Sequence, residues 1–147
     1  MTTNSEEKRM SLIQIYSDFH KDAYGFRPRY DYHVYTLAQL EADFDRFEEI
    51  CEWNEKEEEQ ANERASVAFE KRVQSVIDMG AGDRKTALRW ILDSYDGGDM
   101  MYGMEGFVSY EMCLGVNDYA KELAVELEPL AQGAMDAFYA ERYADVA

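Results

Sequence analysis

The sequence predicts an all-α protein of four to six helices built around one long acidic helix at about residues 36–79. Three observations carry this prediction. Apolar residues recur at three- and four-residue steps through most of the chain. No proline or glycine interrupts residues 36–79. No stretch alternates convincingly between apolar and polar residues as a half-buried strand would, although residues 30–35 are compatible with a short edge strand.

A first helix is expected over residues 6–22. Leu12, Tyr16, Phe19 and Ala23 form its stripe, with Ile13 and Ile15 broadening it, and Gly25 ends it. Phe26 to Tyr35 reads as an extended connector, because Pro28 drives Arg27 out of helical geometry. Thr36 then opens the long helix, with Gln39 three positions on as its capping-box partner. Leu37, Leu40, Phe44, Phe47 and Cys51 follow a 3-4-3-4 spacing. The same register passes through Asn54, Glu58, Ala61 and Ala65 before apolar content returns at Phe69, Val73, Val76 and Ile77. The spacing predicts one helix of about 60 Å at 1.5 Å per residue; the alternative is two helices broken between residues 53 and 62. Its polar middle, around residues 50–66, is expected to protrude as an arm or to meet a partner.

Gly80-Ala81-Gly82 is a stop, and Asp83 is an N-cap for a helix to about residue 95 with Ala87, Leu88, Ile91 and Leu92 inside. Residues 97–115 form a Gly/Met-rich connection containing Met100, Met101, Met104 and Met112, with a short helix at about 105–113. That connection is either a plug for the core or an adaptable contact surface, since methionine repacks easily. A last helical region starts at Asn117 or Asp118 and includes Leu123, Leu127, Leu130, Ala134, Ala137 and Phe138. Pro129 either begins a new helix there or kinks a continuous one.

With 147 residues, 46% of them hydrophobic and 14% aromatic, the chain is expected to form a single helical domain over residues 1–147 rather than a disordered one. No apolar run is long enough for a membrane-spanning helix, and Met1 to Glu7 lacks the pattern of a signal peptide. Cys51 and Cys113 make no disulfide framework and read as reduced, buried thiols. These features together lead to an expected location in the cytosol.

Net charge is −16 and unevenly spread: residues 1–35 are neutral, 36–63 carry −9, 64–92 carry +3 and 93–147 carry −10. This balance argues against direct binding to nucleic acid or anionic membranes and favours a basic protein surface as partner, or plain solubility. Catalytic motifs are missing: there is no HExxH, GxSxG or dinucleotide fingerprint. No catalytic residue, metal ligand or cofactor is therefore assigned. Gly80-Ala81-Gly82-Asp83-Arg84-Lys85-Thr86 has a superficial likeness to a phosphate loop, but it lacks the glycine before the lysine and a preceding strand. It reads better as the end of one helix and the cap of the next. His20 lies around the helix from Asp18 and Asp22, and His33 with Tyr30, Asp31 and Tyr32 has no paired nucleophile. A small enzyme acting there is the least favoured reading.

The long helix holds the most informative pattern. Glu41, Asp45, Glu48, Glu52, Glu55, Glu59 and Glu63 step by three or four residues and so line one face. Residues 41–63 contain eleven acids against only Arg46 and Lys56. Like charges at such spacing repel by a few tenths of a kcal/mol each, a cost that a purely structural helix avoids. The ridge is a candidate surface for a basic nucleic-acid groove on another protein; the plainer reading is a solvated face. A possible homodimer follows from Leu40, Phe44, Phe47 and Cys51 as a buried seam, with Arg64, Lys71, Arg72, Arg84, Lys85 and Arg89 meeting an acidic face of the second copy.

The segment Ile15-Tyr16-Ser17-Asp18-Phe19-His20-Lys21-Asp22-Ala23-Tyr24-Gly25-Phe26-Arg27-Pro28-Arg29 resembles small accessory proteins of tailed bacteriophages that carry a Tyr-Gly-Phe-Arg-Pro-Arg signature. Residues 80–90, from Gly80 to Trp90, look like a second shared block. The resemblance implies a phage protein made in a bacterial cytoplasm. By analogy with small acidic phage proteins, the expected function is inhibition of a host defence complex of the CRISPR-effector or restriction-enzyme kind. The alternative is a helical scaffold or adaptor that assembles with itself or with phage replication or structural proteins.

Overall fold

A computed structural model describes residues 2–146; Met1 and Ala147, the ends of the expected domain, lie outside the described residues. Among the described residues the chain is all-helical, 83% in helix with no strand. Five helices follow in order: α1 (Thr2–Tyr24), α2 (Leu37–Val76), α3 (Arg84–Leu92), α4 (Met104–Gly106) and α5 (Asp118–Tyr143). A π-helical turn, Ile77–Ala81, extends α2 so that one helical run covers 45 residues. The long helix is therefore unbroken through residues 53–62, and the two-helix alternative is not adopted.

Within the single domain that was expected, the chain groups into two compact units, divided between Glu59 and Gln60. The reason is visible in α2. Residues 52–61 are all exposed and offer only Trp53 and Ala61 as apolar side chains, so no core assembles there. Each unit has its own hydrophobic cluster.

In the first unit, Ile13, Tyr16 and Ala23 of α1 are buried with Leu40 and Phe47 of α2, flanked by Phe19, Phe44 and Cys51. Tyr16 stacks on Tyr32 at 4.3 Å between ring centroids and meets Phe47 edge-on at 5.2 Å. Its hydroxyl donates to Asp43 Oδ2 at 2.8 Å and also bonds the Tyr30 hydroxyl at 2.8 Å. Burial, with those two bonds behind it, pushes the Tyr16 phenol far above its ordinary value, so it stays a donor. Arg9 fastens the connector, donating from Nε to the Tyr35 carbonyl at 2.8 Å and from Nη2 to that of His33. Residues 32–34 form a 3-10 turn capped by Asp31, which leaves no edge strand at 30–35.

In the second unit, Phe69 and Val73 of α2 pack with Ala87, Leu88, Ile91 and Leu92 of α3 and with the inner face of α5. The Gly/Met-rich connection closes this core: Met100, Met104, Phe107, Val108 and Leu114 are all buried. A 3-10 turn at Gly97–Met100 lies so close to α5 that a Cβ on Gly97 would fall 2.5 Å from the Ala134 carbonyl oxygen. The expected helix at 105–113 is instead the short α4 followed by a π-helical turn, Phe107–Glu111.

Pro129 sits inside a continuous α5. The carbonyl it leaves without a backbone donor belongs to Val125, on the exposed side of the helix. Cys113 corrects an expectation: it is exposed, with φ at 58°, while Cys51 is half-buried. The burial predicted for it failed because its side chain turns back to the Tyr110 carbonyl at the end of the π turn.

Candidate binding surface on the long helix

The surface begins with the cap that sets the phase of α2. Thr36 Oγ1 accepts from the Gln39 backbone N–H at 3.2 Å, and Gln39 Oε1 accepts from the Thr36 N–H at 2.8 Å. From that start, Leu40 and Phe47 turn inward with 0% and 2% exposure. At 100° per residue, the seven ridge carboxylates then fall within an arc of about 80°, beside the buried stripe rather than opposite it.

Glu41 lies at the inner edge, half-buried and paired with Lys8 at 2.6 Å. Asp45, Glu48, Glu52, Glu55 and Glu59 in the first unit, and Glu63 in the second, are exposed. Among the described residues none of these six has an ion pair. Glu70, two turns beyond Glu63, is in a different state. Arg84 bridges it to Glu126, with contacts of 2.6 Å to each, and Tyr119 donates to it at 2.6 Å. The Arg84 hydrogen bonds hold the Glu70 carboxyl below its usual range against the opposing effect of burial. The ridge of free carboxylates thus ends before Glu70.

Within the first unit, the ridge borders an open groove of about 520 Å³ whose lining includes Phe19, Asp22, Glu48, Cys51, Glu55 and Glu58. The field there is negative. Burial raises the Cys51 thiol, and the Asp22 and Glu55 carboxylates raise it further. These surroundings favour the neutral thiol over the thiolate. Asp22 was missed as a member of this surface because only the packing of α1 against α2 brings it to Glu48 and Glu55; Glu58, one turn beyond Glu55 on α2, was read only as part of the apolar register.

The seam of Leu40, Phe44, Phe47 and Cys51 is corrected. These side chains pack on Tyr16 and Phe19 of the same unit, with Phe44 stacked on Phe19 at 5.3 Å, and leave no free ridge for a second copy. Arg84 is withdrawn from the set of cations available to a partner by its two internal carboxylates.

The remaining motifs are accounted for locally. His20 is 4% exposed, with Nδ1 at 2.7 Å from the Phe26 carbonyl and rings of Tyr24, Phe26 and Phe47 around it. His33 stacks on Tyr32 and bonds Asp31. At residues 80–86, Asp83 caps α3 by accepting from the Thr86 N–H at 2.7 Å, which occupies a donor that a phosphate would need. Gly80, at φ 133°, kinks the π turn from within, in a backbone geometry that other residues resist. Among the described residues no group of three or more His, Cys, Asp or Glu side chains is placed to hold a metal ion. No helix among them is long and apolar enough to cross a membrane.

Fold and surface together describe an all-helical chain with an exposed carboxylate ridge on its longest helix. The chain matches no protein-family model, and no curated protein or solved structure matches it.

Proposed function

We propose that this chain is a phage-type acidic inhibitor that binds a host nucleic-acid-handling defence complex, with the α2 ridge taking the place of the nucleic acid. One observation supports this reading above the others: Asp45, Glu48, Glu52, Glu55 and Glu59 of the first unit are exposed, have no ion pair among the described residues and are spaced by one helix. Carboxylates already held at helical spacing lose less conformational entropy on docking than those of a disordered segment. Their repulsion is relieved only when a basic surface arrives. The partner is a protein of the CRISPR-effector or restriction-enzyme kind, with Lys and Arg lining a groove for phosphates, in a bacterial cytoplasm.

The test is binding and inhibition against a panel of such nucleases, with DNA or RNA as competitor and salt as a variable. Affinity is expected to fall as salt rises and to be lost in the quadruple variant Glu48→Lys, Glu52→Lys, Glu55→Lys, Glu59→Lys. These positions are exposed, so helix content by circular dichroism should be retained. Undiminished inhibition by the folded variant would overturn the proposal.

A further inference from the structure

We propose that the groove between α1 and α2 in the first unit receives an arginine side chain of the basic partner, resting on the reading of the ridge as that partner's docking surface. The groove is open and measures about 520 Å³. The half-buried members of its lining, Phe19 of α1 and Cys51 of α2, are apolar and make its floor. Its rim is exposed: Asp22 comes from α1, and Glu48, Glu52, Glu55 and Glu58 come from α2. None of these five carboxylates has an ion pair among the described residues. Asn54, also in the lining, turns its amide to the Ala23 carbonyl at 3.1 Å. Ala23 and Asp22 belong to the last turn of α1, so the negative end of that helix adds to the pull on a cation. Lys21, the base of that turn, is not among the lining residues.

The occupant follows from what such a lining can satisfy. It offers carboxylate acceptors and carbon, and no basic side chain. A row of carboxylates alone is screened by whatever salt surrounds it. The floor adds a second requirement, an apolar stem beneath the charge. Lysine and arginine both have one, since each lays its methylenes on apolar surface and keeps its head in water. The head decides between them. A guanidinium carries five N–H donors in a flat fork, is weakly hydrated and packs well on aromatic carbon; an ammonium is a compact, strongly hydrated point charge. Carboxylates on both walls of the groove suit the fork, which pairs with two oxygens at a time. A metal ion does not meet the same need. Among the described residues no three of these carboxylates are placed to hold one. The volume suits a side chain rather than a whole helix, so the groove takes one projecting residue of a larger basic surface.

The test uses the full chain and a short capped peptide of alternating arginine and glycine as the probe, with its lysine counterpart beside it. Both are titrated by fluorescence anisotropy at one salt concentration. The arginine peptide is expected to bind at least about ten-fold more tightly than the lysine peptide. Asp22→Asn/Glu58→Gln removes two rim charges that are not part of the ridge, and should weaken the arginine peptide by at least about ten-fold. Glu49→Gln/Glu57→Gln removes two exposed charges of α2 that belong to neither groove nor ridge. It should weaken the peptide by no more than about three-fold. Circular dichroism is expected to show parental helix content in both variants, because all four positions are exposed. Equal affinity for the two peptides, or equal losses in the two variants, would overturn the proposal. The outcome is separable from nuclease inhibition. The expected peptide profile without inhibition of any nuclease would uphold the arginine site and overturn the ridge reading. Inhibition that needs Glu48, Glu52, Glu55 and Glu59 without that profile would do the reverse.

Discussion

Tyr16 joins the aromatic cluster of the first unit to a polar contact, since its hydroxyl serves both Asp43 and Tyr30. Tyr16→Phe keeps the ring and leaves the half-buried Asp43 carboxylate without that donor. The expected loss is about 1–3 kcal/mol in urea unfolding, and an unchanged midpoint would show that water replaces the bond. Glu70 carries a prediction in pH. Its folded-state value is held below the unfolded value of about 4.3 by Arg84 and Tyr119. The resulting stabilisation is complete above the unfolded value and is lost as pH falls through the folded one. Unfolding curves at a series of acid pH values should show this decline in the parent protein. Glu70→Gln should make it shallower.

Helix boundaries were legible wherever the signal is local. Thr36 with Gln39, Asp83 with Thr86, and Asn117 with Ala120 make the bonds their spacing announces, because a cap needs only a side chain and a backbone three residues on. Thr36→Ala and Asp83→Ala should each cost about 1 kcal/mol, read as lowered midpoints with native helix content before the transition. The destination of an apolar stripe was not legible. Leu40 and Phe47 show the same periodicity whether α1 or a second copy covers them, and only tertiary pairing decides. The carboxylate ridge itself could be read from spacing, but not the ion pairs that hold Glu41 at its start and Glu70 beyond its end.

Two separate clusters imply two separable responses to damage. Phe47→Ala should destabilise the first unit by about 3–5 kcal/mol, and Leu88→Ala the second by about 2–5 kcal/mol. Amide protection around the other cluster should change little in either case. A single transition shifted equally by both substitutions would show that the units unfold together. The exposure of residues 52–61 has a consequence of its own for α2. An ordinary helix frays from its ends, where backbone groups lack partners, but both ends of α2 are held by packed cores. Its middle has little beyond its own backbone ladder and the bond from Asn54 to the Ala23 carbonyl, and lies under the mutual repulsion of its carboxylates. Deuterium uptake along α2 should therefore run inside out, fastest around residues 52–61 and slowest towards Leu40 and Val73. A glutamate-specific protease should make its first cut in the longest helix, at the centre rather than at a terminus.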